Sequence, residues 1–129
     1  MEDCKGASMN EYIDIAIQQG ATFILPIYYK DSEGEPIDLT GYTAKMQIRQ
    51  TRNAEDPALV DLTTENGGII ITADEGLVTI IISSEITAAL DVLINGVYDF
   101  FLFAPEASGL VYKDLQGKAT VEGRTTKWS

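Results

Sequence analysis

No histidine occurs in this chain of 129 residues, and its single cysteine, Cys4, has no second thiol to pair with. The first absence removes the commonest general base and the commonest metal ligand together, and the second excludes an internal disulfide. A lone Cys4 among polar neighbours suits a reducing compartment. Cations are scarce as well, with 9 Lys and Arg against 20 Asp and Glu and a formal charge of -11. Such a surface repels phosphate backbones and anionic lipid, so neither nucleic acid nor a membrane is an expected partner. The longest apolar runs, Phe23 to Tyr29 and Val97 to Ala104, fall far short of the ~20 residues a membrane helix needs. Met1 to Asn10 is polar and lacks the basic stretch and apolar run of a secretory leader. No G-x-S-x-G elbow, Walker loop or dinucleotide fingerprint is present. Ser83 and Ser84 therefore read as helix caps, and Gly67, Gly68 and Gly76 as turn glycines. No catalytic residue, cofactor or metal ligand is nominated, and an enzyme is not expected.

Hydrophobic residues at 45% and charged residues at 22% mark a chain that can bury a core, and its length suits one domain. Ile13, Ile15 and Ile17 alternate with Asp14 and Ala16, and after Gln18-Gln19-Gly20 the run Phe23 to Tyr29 follows, so two strands with a turn or bulge between them are expected. Pro26 argues for an edge or a bulge there. Lys30 to Pro36 concentrates charge and turn formers and reads as a loop. Tyr42, Ala44, Met46 and Ile48 alternate with Thr43, Lys45, Gln47 and Arg49, which predicts a strand with one buried and one wet face. Further strands are expected over Ala58 to Thr63, Ile69 to Thr72 and Leu77 to Ile82, the last two forming a hairpin across Ala73-Asp74-Glu75-Gly76. Ser83 followed by Ile86, Ala89 and Leu90 predicts a short helix. After Asn95-Gly96 comes an aromatic strand, Val97 to Phe103, and then a closing hairpin through Leu110 to Leu115 and Lys118 to Val121. About eight or nine short strands at this turn spacing, with one helix, describe an all-β sandwich or small barrel. The expected layout is an N-terminal arm over 1–10, a β domain over 11–121 and a C-terminal arm over 122–129.

Candidate binding residues come from the patterns that a simple core does not need. Tyr98, Phe100, Phe101 and Phe103 place bulk on both faces of one strand, and Phe23, Leu25 and Tyr28 belong to a second two-faced run. Such strands lie in the middle of a core or offer one face to a neighbour. Phe23, Leu25, Tyr28, Tyr98, Phe101 and Phe103 are accordingly candidate interface residues. The C-terminal stretch carries Lys118, Arg124 and Lys127 against Glu122 in an otherwise acidic chain. It could fray, or it could dock on an acidic neighbour through Arg124, Lys127 and the anchor Trp128. Asp31, Glu33, Glu35 and Asp38 invite a calcium reading, but an EF-hand-type loop from Asp31 would need glycine where Pro36 stands and glutamate where Tyr42 stands. A calcium-dependent or carbohydrate-binding module, using that loop and exposed tyrosines, remains the alternative of another class.

Three segments together carry a family resemblance: Gln19-Gly20-Ala21-Thr22-Phe23, then the stretch from Gly34-Glu35-Pro36-Ile37-Asp38-Leu39-Thr40-Gly41-Tyr42-Thr43 to Arg49, then Gly96-Val97-Tyr98-Asp99-Phe100. They resemble small tailed-bacteriophage virion proteins and the N-terminal domain of phage baseplate upper proteins. In that group a "D-x-x-G-x-P-I-D-L-T-G-Y-T" hairpin leads into an alternating strand, which Asp31 to Thr43 matches. Gly76 to Leu90 approximates the group's next strand and helix, and Leu115 to Val121 agrees with its closing "L-x-G-x-V-x-V" except at Ala119. The resemblance implies an immunoglobulin-like antiparallel β-sandwich that builds part of a virion. It implies a tail adaptor or attachment subunit linking tail or baseplate to fibres, with capsid decoration as the alternative. The implied partners are other virion proteins and further copies of the chain in an oligomer or ring, within a particle assembled from protein made in the bacterial cytoplasm.

Overall fold

The computed structural model describes residues 11–52, 58–105 and 109–123. Nine strands and one helix follow in chain order: β1 (Glu11–Tyr12), β2 (Ile15–Gln18), β3 (Phe23–Tyr28), β4 (Thr43–Arg49), β5 (Val60–Thr63), β6 (Ile69–Thr72), β7 (Leu77–Ile82), α1 (Ser84–Ala89), β8 (Leu93–Phe103) and β9 (Val111–Glu122). They form two sheets. The larger runs β1-β9-β8-β4-β5, with β2 also on β9, and the smaller runs β3-β7-β6. The sheets β3-β7-β6 and β9-β8-β4-β5 make the two layers of an all-β sandwich. One expectation is modified: the sheets are antiparallel except at one edge, where β1 and β2 lie parallel to β9.

The core follows from alternation. Ala44, Met46 and Ile48 of β4, Tyr98, Phe100 and Leu102 of β8, and Leu115, Ala119 and Val121 of β9 point inward from the larger sheet. Ile27, Ile69, Val78, Ile80 and Ile82 meet them from the smaller one. Phe100 is fully buried, opposite Met46 on one side and Leu115 on the other. The aromatic strand is thus split by its pleat, with Tyr98, Phe100 and Leu102 in the core and Phe101 and Phe103 on the outer face. Pro26 is accommodated as expected, because β3 is an edge strand and need not donate outward.

Several boundaries differ from the sequence reading. The aromatic strand begins earlier than Val97: β8 starts at Leu93, includes Asn95-Gly96 and absorbs an irregularity between Leu93 and Gly96. The two closing runs are one strand, β9, with a bulge at Asp114: Phe100 pairs with Leu115 and Phe101 with Lys113, leaving Asp114 over. The helix forms where Ser83 caps it, accepting from the Ile86 N–H at 3.3 Å, but its buried residue is Thr87. Ile86 is 42% exposed and Ala89 is exposed too. Polar anchoring replaces the expected apolar face. The Thr87 hydroxyl accepts from the Gly20 N–H at 3.0 Å and lies 2.9 Å from the Ala21 carbonyl, while Gln19 Nε2 donates to the Leu90 carbonyl at 2.6 Å.

Two glycines are required by close approach. A Cβ on Gly117 would be driven into the Ile13 carbonyl, where the first strand steps from β1 to β2. Gly76, at φ +60°, closes the β6–β7 connection and leaves no room against the Tyr29 carbonyl and Ile37.

If Phe100 is the centre of this core, Phe100→Ala should lower unfolding free energy by roughly 3 to 5 kcal/mol in guanidinium titrations. A near-neutral result would place the ring elsewhere.

Candidate functional site

The outward residues of the two sheets make two faces of opposite character. On the smaller sheet, register sets Ile24 beside Ile81, Pro26 beside Thr79 and Ile70, and Tyr28 beside Leu77 and Thr72. Ile24 and Tyr28 are each 59% exposed and Ile70 49%. No Asp, Glu, Lys or Arg occurs anywhere in β3, β6 or β7. In a chain of charge -11 this is an uncharged apolar surface. From strand spacing and rise it measures about 15 by 20 Å, the size at which the largest apolar patch of a monomer is often functional.

On the larger sheet the outward rows are Lys113–Phe101–Lys45, Gln116–Asp99–Gln47, and Lys118–Val97–Arg49. Lys113 Nζ stands 6.0 Å from the Phe101 ring centroid and 4.0 Å from Asp99 Oδ2, and Lys45 Nζ is 3.8 Å from Asp61. These pairs are largely exposed and contribute little stability, so their effect is to set the charge of the face. Toward the Arg49 end lies a cleft of about 400 Å³ lined by three cations, Arg49, Arg52 and Lys118, two carboxylates, Asp14 and Asp99, and the rings of Tyr12 and Tyr98. The step between β1 and β2 builds it. Asp14 turns there to accept from the Lys118 N–H at 3.1 Å, and the Tyr98 hydroxyl donates to the Ile13 carbonyl at 2.6 Å. Burial first, and then the Asp14 charge, pushes the Tyr98 phenol up to about 12, so the hydroxyl keeps its proton and its bond at neutral pH.

The opposite end of the sandwich is acidic. The 30–40 loop folds back on itself by the Ile37 N–H on the Tyr29 carbonyl, and it is held to the β6–β7 connection by the Leu39 N–H on the Ala73 carbonyl and the Tyr29 N–H on the Gly76 carbonyl. This gathers Asp31, Glu33, Glu35, Asp38, Asp74 and Glu75 at one end. Their local bonds are those of a tight turn. Asp31 Oδ1 accepts from the Glu33 and Glu35 N–H groups at 2.9 and 3.0 Å. Asp38 Oδ1 accepts from the Thr40 hydroxyl at 2.6 Å and its N–H at 3.0 Å, which holds that carboxyl below the usual range. Among the described residues no three Asp, Glu, His or Cys side chains are gathered as a metal would require. The exposed tyrosines Tyr12 and Tyr28 lie on different sheets and form no common platform.

The candidate interface residues are therefore distributed unevenly. Tyr28 stands on the apolar face, and Phe101 and Phe103 stand on the outer face of the larger sheet. Phe23 and Leu25 are corrected: they point between the sheets and pack, half-buried, against the core. Tyr98 is corrected too, being 4% exposed and committed to Ile13. Arg124, Lys127 and Trp128 lie outside the described residues. Ile24 belongs to the two-faced run of β3 and stands on the apolar face, whereas Ile70 and Ile81 were missed as outer-face residues, although the unbroken β-branched runs of β6 and β7 carried the signal: apolar residues on both faces of a strand.

One buried polar pair was not legible either. The Tyr29 hydroxyl donates to Asp114 Oδ2 at 2.7 Å, joining the two sheets, while Asp114 Oδ1 is buried without a partner. Burial raises the Tyr29 phenol well above its usual range, with Asp114 adding to the effect. Burial also pushes the Asp114 carboxyl up to about 6, against the opposing pull of the Tyr29 bond. The pair is sealed from solvent and acts as a tie, not as an accessible acid.

No helix among the described residues is long and apolar enough to cross a membrane. No protein-family model matches the chain, and no curated protein matches it.

Because the native state holds the Asp114 proton more tightly than the unfolded chain, this carboxyl contributes stability below about pH 4 that is lost as pH rises through about 6. Asp114→Asn keeps an oxygen for Tyr29 and removes the ionisation. Relative to wild type it should gain up to roughly 3 kcal/mol between pH 4 and pH 8 in paired denaturation curves. A difference that does not change with pH would refute the assignment.

Proposed function

We propose that this chain is a non-enzymatic structural subunit of a tailed-bacteriophage virion, an adaptor that packs by the outer faces of its sandwich between tail or baseplate and fibres. The observation that carries the reading is the uncharged outer face of β3, β7 and β6, an apolar surface on an otherwise acidic protein. Its area is well below the ~800 Å² per partner of a stable free complex. Such a face suits a component held by several weak contacts at once, where copy number converts them into avidity. The resemblance of Asp31 to Thr43 to phage virion proteins supports the same lineage, and its residues have structural tasks: Asp38 caps Thr40, Leu39 plugs the core and Gly41 turns at φ +85°.

The reading is tested on intact particles by imaging and density assignment. A ring of a few to a dozen copies on the tail is expected; hundreds on the head would make the chain a decoration protein, and its absence from the particle would overturn the proposal. In the same particles, Ile24→Lys and Ile70→Lys should change folding stability by only about 0.5 kcal/mol, as exposed substitutions do. Incorporation should nevertheless fall at least tenfold, read by quantitative mass spectrometry of purified virions. Normal incorporation of both variants would remove the apolar face from the contact.

A further inference from the structure

The acidic tip and the basic cleft lie at opposite ends of the sandwich. β4 begins at Thr43, next to the acidic loop, and ends at Arg49, in the cleft, a rise of about 20 Å. The tip is a built knob. Lys30 and Pro36 bridge its base, the Asp31 N–H donates to the Glu35 carbonyl at 2.9 Å, the Gly34 N–H donates to the Asp31 carbonyl at 3.0 Å, and Asp31 Oδ1 holds two further N–H groups. Glu33 and Glu35 project from it, exposed. The cleft is its counterpart, with Arg49, Arg52 and Lys118 against Asp14 and Asp99 around an opening of about 400 Å³. Asp14 is held by the Lys118 N–H, Asp99 lies 4.0 Å from Lys113, and Arg49 donates to Gln47 at 2.8 Å, which leaves the recess with a small positive excess centred on Arg52 and Lys118. Arg49, Arg52 and Lys118 are three of only nine cations in the sequence.

We propose that the acidic tip of one copy seats in the basic cleft of the next, so that copies of this chain associate head to tail. The anchoring of the tip at Tyr29, Ile37 and Leu39 keeps it at its own end, so the contact cannot close within one molecule. Opposite charges on a preformed knob and a preformed recess favour encounter and fix register, with little ordering cost on either side. The two patches differ, so the contact is heterologous and propagates: an open assembly always has one free tip at one end and one free cleft at the other, until a ring closes. The apolar face of the smaller sheet stays outside this contact and remains available to a different partner. The inference rests on the structural-subunit reading and names the occupant of one of its surfaces.

Sedimentation velocity on the full chain tests it, at about 0.03 M and about 0.5 M salt, where screening shortens from roughly 17 Å to roughly 4 Å. Wild type should associate at low salt and dissociate at least tenfold more readily at high salt. The double variants Glu33→Lys with Glu35→Lys and Arg52→Glu with Lys118→Glu, all at exposed positions, should each remain monomeric. Their equimolar mixture should associate again, because each then meets a complementary partner. Thermal melts of the two variants establish that both are folded. A wild type that stays monomeric at low salt overturns the inference, as does a mixture that fails to recover. Association that strengthens with salt and is lost in Ile70→Lys would assign self-contact to the apolar face and overturn it equally. Incorporation into particles without self-association would leave the structural reading standing and sink this inference alone.

Discussion

The extra residue that β9 inserts at Asp114 sets the facing of every side chain on either side of it. Before it, Lys113 points out and Tyr112 packs on the core; after it, Leu115, Ala119 and Val121 point in and Lys118 points out. Without the bulge, one half of the strand would turn its apolar residues to water, since a slip of one residue exchanges the two faces of a strand. β9 also carries β8 on one side and β1 and β2 on the other, so this local irregularity governs most of the larger sheet. Asp114 itself is turned inward by the bulge and met by Tyr29 from the other sheet. A buried carboxyl with one unpaired oxygen is a cost, and it is offset by the packing that the two correctly facing halves of β9 achieve.

The same edge creates the cleft. Because β1 and β2 step apart at Ile13 and Asp14, they need a residue without a side chain opposite them, and Gly117 supplies it. The step frees Asp14 to bond the backbone at Lys118 and brings Ile13 within reach of Tyr98, which closes the base of the recess. The basic recess is thus a by-product of how the first strand joins the last. The acidic tip depends on a different constraint, the packing of the 30–40 loop on the β6–β7 connection at Gly76. The two charge clusters arise at opposite ends for independent reasons.

Much of the fold was legible because alternation is a local property. The buried set Ala44, Met46 and Ile48, the hairpin about Gly76 and the Ser83 cap all follow from residues within a few positions of each other. The helix face was not, because Thr87 is buried through bonds to Gly20 and Ala21, which lie more than sixty residues away. Tyr98 was misassigned for the same reason: an aromatic rich strand has two faces, and only its neighbours β4 and β9 decide which one is covered.

By itself the sequence determined the class of the protein: acidic, without histidine, built of short alternating strands with a tight acidic loop. Period-two patterning and turn chemistry act over a few residues, and they suffice for that. Tertiary structure alone decided what those strands display. Which face of β3, β6 and β7 meets the core, where the bulge in β9 falls, and how Arg49, Arg52 and Lys118 come together depend on register between strands distant in sequence. Register is fixed by the packing of the whole core, and a pattern read along one strand does not contain it.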